Sequence, residues 1–155
     1  MSFIVIFNFA FSFIVASFGV FIYSKKRERV SFFFFLLCLA IAIWTLGLAF
    51  YGIPSFMSGE VSLRVAFWGA SCIAIVLLYF FQIFPIEKKQ FLSKKVNILL
   101  IAILGLIGIL SLFPDLMVKN VEYDNGVVVN KEYGPIYPVF GSFFIITLII
   151  SSFIS

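Results

Sequence analysis

The chain is 155 residues long, 63% hydrophobic and only 12% charged, with 11 Lys+Arg against 7 Asp+Glu and a net charge of +4. Soluble domains carry roughly twice that charged fraction, so this composition and a mean hydropathy of +1.19 exclude a water-soluble domain and place the protein in a bilayer. His is absent and Cys occurs twice, which removes His-based acid–base, phosphoacceptor and triad chemistry, His-ligated zinc or haem, and any cysteine-rich metal cluster.

Five apolar stretches, at about 3–23, 30–53, 65–84, 96–113 and 139–155, are read as spans of one transmembrane domain covering 1–155. A crossing needs ~20 residues, with ~17 as a lower limit. No Asp, Glu, Lys or Arg falls inside these stretches. The first has no basic residue before it, and the cluster Lys25-Lys26-Arg27-Glu28-Arg29 follows it. That order marks a retained anchor with its N-terminus outside, not a cleaved signal peptide.

Spans associate through small residues and weak hydrogen bonds, because lipid tails are as apolar as Leu. The expected packing stripes are Asn8, Ser12, Ala16 and Gly19 on the first span and Cys38, Ala42, Thr45, Ala49 and Gly52 on the second. Ala66, Ala70 and Ala74 follow on the third, Ala102, Gly105, Gly108 and Ser111 on the fourth, and Thr147, Ser151 and Ser155 on the fifth. The 23 Phe residues read as bulky lipid-facing groups. Cys38 and Cys72 lie at different depths, so they are not expected to form a disulfide. Gln82 sits near the basic end of its span and is expected to reach the headgroups or a carbonyl.

The connection from Pro114 to Pro138 is the one soluble-looking element. Val118–Tyr123 and Val127–Glu132 flank Asp124-Asn125-Gly126, and Asn-Gly between extended runs signals a β-hairpin, at about 118–132. Because a hairpin is marginal alone, it is expected to rest on the helix ends as a cap.

Eight of the basic residues lie in the two short loops after the first and third spans, against three in the alternate connections. This asymmetry puts those two loops in the cytoplasm and the hairpin outside. Asn8, Tyr51, Trp68, Tyr133 and Tyr137 then fall near the outer face and are the candidate lining of an outward pocket. No residue is assigned to catalysis, to a metal or to a cofactor. The basic loops set topology and contact anionic lipid, with no nucleic-acid partner.

The N-out start, the run Phe35-Leu36-Leu37-Cys38-Leu39-Ala40-Ile41-Ala42-Ile43-Trp44, Phe67-Trp68-Gly69, the Asn-Gly hairpin and Tyr133-Gly134-Pro135 occur in a recognisable order. In these features the chain resembles the N-terminal seven-transmembrane sensor region of bacterial and archaeal histidine kinases and some cyclic-dinucleotide enzymes. The resemblance implies an all-α polytopic bundle, five spans of seven, with a small extracytoplasmic β-hairpin, and a region that is C-terminally incomplete.

It also implies a sensory input domain without catalysis of its own, in the cell membrane of a prokaryote. An unidentified small-molecule or membrane stimulus would act on it, the full-length protein would be a homodimer, and the output module would be cytoplasmic. The alternative is a fragment of a polytopic transporter or exporter, a class that usually places ionisable groups or broken helices near the midplane.

Overall fold

The computed structural model describes residues 3–83, 94–124 and 127–154. In chain order these form α1 (Phe3–Lys25), α2 (Arg29–Tyr51), α3 (Gly59–Ile83), α4 (Lys94–Leu110), β1 (Val118–Asp124), β2 (Val127–Tyr133) and α5 (Tyr137–Ile154). The Asn125-Gly126 turn, most of the second basic loop, and the side chains of Gln82, Ser151 and Ser155 lie outside the described residues.

Among the described residues, three helices are long and apolar enough to cross a membrane: Phe3–Lys25, Arg29–Tyr51 and Gly59–Phe81. The remaining two carry shorter apolar segments, Ile98–Leu110 and Tyr137–Ile150, where five full spans were expected. α4 is bounded by Lys94 and Lys95 at its start, and its helix closes at Leu110 ahead of Pro114. Hydropathy counts Ser111 to Phe113 as span, but Leu112 N and Phe113 N bond to Ile109 O and Leu110 O in tight turns there.

α3 begins at Gly59, not at 65, because Ser58 Oγ accepts from the Val61 N–H at 3.4 Å and Glu60 lies in the first turn. A hydroxyl cap and an early acid both favour a helix start. Glu60 and Arg64 therefore stand on a helix, one turn apart, and not in a loop. α2 stops at Gly52, whose N–H bonds back to Ala49 O, and the Ile53 N–H bonds to Phe50 O.

α1, α2 and α3 pack as consecutive antiparallel neighbours. Gly19 meets Cys38, and Gly52 at the other end of α2 meets Val5. Gly47 lies against Ala66 and Ser62, and Gly69 against the Trp44 backbone. Half of α3's span is buried, compared with 33% for α2 and 17% for α1, which makes α3 the central helix. α4 meets it through Gly108 and Ser71, and α5 through Phe140 and Phe67.

The small-residue stripes of α2 and α3 are buried: Cys38, Ala42, Thr45 and Ala49, then Ala66, Ala70 and Ala74. The α4 stripe is not a single face. Gly108 and Ser111 are buried, Ala102 is exposed, and a Cβ on Gly105 would meet nothing within 4 Å. Steps of three alone drift by about 60° each, so residue 102 ends up opposite residue 111. Leu104 and Ile107 fill the buried side instead.

The expected interhelical hydrogen bonds are replaced by local ones. Thr45 bonds to the carbonyls of Ile41 and Ala42, Ser71 to Phe67, Ser111 to Gly108 and Thr147 to Phe143. A carbonyl three or four residues back is always within reach of such a hydroxyl, so these buried groups are satisfied without a neighbour. They are packing residues. Both cysteines are free, with Cys38 buried.

Candidate functional site at the hairpin joint

β1 and β2 pair antiparallel from Val118↔Tyr133 to Asp124↔Val127, with irregularities between Val118 and Asn120 and between Glu122 and Tyr123. Lys119 and Val129 are the extra residues, and bulges of this kind bend and twist a ribbon. The result is that Val118 and Val121 are buried against the bundle. They join Leu63, Ala70, Ile107, Met117 and Phe140 in one apolar core, with Tyr51, Phe67, Tyr123 and Tyr137 packed around it.

Three hydrogen bonds tie this hairpin to the helices, and each joins residues far apart in the chain. Arg64 Nη2 donates to Val118 O at 3.0 Å, the Val121 N–H donates to Glu60 Oε1 at 3.0 Å, and Tyr123 Oη donates to Tyr51 O at 3.0 Å. The Glu60 and Arg64 side chains thus complete the outer edge of β1 in place of a third strand, satisfying one backbone donor and one acceptor. Lys131 lies cross-strand from Val121, and its Nζ sits 5.4 Å from the Tyr51 ring centroid.

The other end of the hairpin is anchored by the Tyr-Gly-Pro segment. Asp115 takes a positive φ of 62°, and Leu116 N bonds to Pro114 O at 2.8 Å, a three-residue turn. Gly134 N then bonds to Met117 O, and Ile136 N to Leu116 O. A Cβ on Gly134 would overlap the Leu116 carbonyl. Tyr133 stacks on Tyr137 with ring centroids 4.0 Å apart, and Tyr137 meets Phe67 edge-on at 5.7 Å.

Of the five candidate pocket residues, Tyr51, Tyr133 and Tyr137 come to this joint. Trp68 instead lines an apolar groove between α2 and α3 with Leu36, Leu39, Ala40, Ile43, Cys72 and Val76. Asn8 is half-buried on α1, and no described contact links it or Trp68 to the three tyrosines. Glu60, Arg64 and Tyr123 were not among the candidates. The four-residue spacing of Glu60 and Arg64 on a helix face was the available signal. No group of three or more potential metal ligands occurs among the described residues.

Burial pushes the Tyr123 phenol above its ordinary 10.0, and the neighbouring Tyr51 and the Glu60 carboxylate push the same way. The neutral phenol is the form that donates to Tyr51. Its contribution is therefore complete below the unfolded value near 10 and is lost as pH rises through the higher folded value. Tyr123→Phe should cost about 1 kcal/mol at neutral pH and should soften the fall in stability above pH 10. Unfolding curves at pH 8 and above 10, read beside tyrosinate absorbance, check this; identical pH dependence in both proteins contradicts it.

The family model for the N-terminal 7TM region of histidine kinase matches residues 5–155. No curated protein and no solved structure matches the chain at a significant level. With the apolar helices of the bundle, the family match makes this a membrane-embedded sensory input region, distinct from a catalytic domain. The chain belongs to the N-terminal seven-transmembrane regions of histidine kinases.

Proposed function

We propose that this region receives its signal at the hairpin joint and passes it through α3 to a cytoplasmic output module. The observation that carries the reading is the trio of hydrogen bonds from β1 to Tyr51, Glu60 and Arg64. The hairpin lies between α4 and α5 in the chain and grips α2 and α3. A stimulus that binds better with the hairpin lifted than seated would shift the two pairs of helices relative to each other. Close small-residue contacts such as Gly47 on Ala66 let such shifts occur without large side-chain rearrangement.

The charge asymmetry supports an N-terminus and hairpin outside and the Lys25–Arg29 turn in the cytoplasm, and the family match supports the cell membrane of a prokaryote. The stimulus is an extracytoplasmic or membrane-borne small molecule, and the working unit is a homodimer with no nucleic-acid partner.

The test joins the chain to a histidine-kinase catalytic module and reads autophosphorylation in membranes. Loosening the joint by Glu60→Gln with Tyr123→Phe should move basal phosphorylation about fivefold, the equivalent of ~1 kcal/mol of bias between two states. An unchanged output at equal membrane abundance refutes the joint as the receiving element. In the same cells, with Cys38→Ala and Cys72→Ala as background, Val129→Cys should react with an impermeant maleimide and Lys26→Cys should not. The reverse pattern refutes the orientation.

A further inference from the structure

Resting on the reading of the joint as the receiving site, we infer that it takes a small oxyanion group, a carboxylate or phosphate, on Arg64 beneath the hairpin. The guanidinium gives Nη2 to Val118 O at 3.0 Å, while its Nε is buried and has no hydrogen-bond partner. Its neighbour one turn earlier, Glu60, commits Oε1 to the Val121 N–H. No hydrogen bond or ion pair joins the two among the described residues. Arg64 is thus a half-buried cation whose Nε donor, shielded from water, has no acceptor, and a guanidinium edge matches the spacing of carboxylate and phosphate oxygens.

Two further groups point to the same chemistry. Tyr51 Oη is also buried without a partner, and Tyr51 packs against the core cluster that includes Leu63 and Val118, one the chain neighbour of Arg64 and the other its hydrogen-bond acceptor. Lys131 adds a second cation on the helix-facing side of the hairpin, at 5.4 Å from the Tyr51 ring. Arg64 is half-buried and Lys131 exposed, and with the Glu60 carboxylate, which feels the Arg64 charge, they leave a local positive balance that favours an anion. Ser62 Oγ is likewise buried and unpaired, but it stands about 200° around α3 from Arg64, with its carbonyl on the α2 side against Gly47. It does not belong to the site.

An anion seated here would bridge α3 to β1 and hold the hairpin down, which gives it a differential affinity for the seated state. The oxyanion is either a free anion or the headgroup of an anionic lipid, since Arg64 stands near the hairpin end of a membrane-length helix.

The test uses the whole chain in phosphatidylcholine nanodiscs, titrated with inorganic phosphate or acetate against chloride at matched ionic strength. A second arm uses phosphatidylglycerol nanodiscs without added phosphate. The expected result is a saturable rise in thermal midpoint in the wild type. Apparent affinity should fall about tenfold in Arg64→Lys, which keeps the charge but loses the fork, and severalfold in Tyr51→Phe.

A rise in the free-anion arm assigns a soluble ligand, and a rise confined to phosphatidylglycerol assigns a lipid headgroup. No rise beyond chloride in either arm, or equal responses in wild type and both variants, overturns the proposal. If that happens while the kinase fusion still responds to joint loosening, the receiving-site reading stands and only the ligand class falls.

Discussion

Gly134→Ala should destabilise the protein by about 3 kcal/mol and detach the hairpin from the bundle. A methyl group at this position would overlap the Leu116 carbonyl and crowd Asp115 O. The obstacle is backbone, so no side chain can rotate out of the way. That backbone is itself held on several sides, with Leu116 N on Pro114 O, Ile136 N on Leu116 O and Gly134 N on Met117 O. Relief therefore requires the whole turn to move, and Val118 and the Arg64 contact move with it. The expected readouts are an earlier unfolding transition in SDS and new protease sensitivity near 118–133, with α1 to α3 still helical. A variant that unfolds within 1 kcal/mol of wild type would show that the close approach is not a constraint.

The second large effect is a contrast between two glycines in helices. Gly→Ala in an exposed helix interior gains up to about 1 kcal/mol from propensity, and Gly105, whose added Cβ would meet nothing within 4 Å, should show that gain. Gly47→Ala should instead lose about 2 kcal/mol or more. Its Cβ would lie 2.7 Å from Ala66 N and 2.9 Å from both Ala66 Cα and Ser62 O, so α2 and α3 must separate. Paired unfolding measurements on the two variants cancel the propensity term. Equal shifts for the two would refute the close α2–α3 seam, and with it the hub position of α3.

Much of the architecture is a local property of the chain and could be read directly. Membrane residence follows from composition, and the long helices follow from uninterrupted apolar runs such as Phe32 to Phe50. The hairpin follows from extended, β-branched runs on either side of Asn125-Gly126. The stripe of α2 was legible because its four- and three-residue steps alternate, which keeps one face aligned, and that of α3 because its two steps of four drift by only about 80° in total. The α4 stripe was misread because its steps of three do not alternate. Hydropathy placed the start of α3 too late, since Glu60 and Arg64 look like loop residues to a transfer scale although Ser58 caps a helix before them.

The candidate site divided along the same line. Tyr133 and Tyr137 sit four residues apart beside the Tyr-Gly-Pro segment, and their stacking is a near-neighbour event. Composition, the three long apolar helices and the hairpin signal were determined by the sequence itself, because each depends on the residues within one segment and on the solvent around it. The partners of Tyr51, Glu60 and Arg64 were decided only by the tertiary structure. Those contacts join residues 54, 61 and 72 positions apart, and three of the groups involved are backbone atoms, which carry no residue-specific signal. Which charge meets the edge of β1 depends on the bulges that turn the hairpin and on the seam that sets the height of α3 beside α2. Both are fixed by packing between segments, where no single stretch of sequence holds the information.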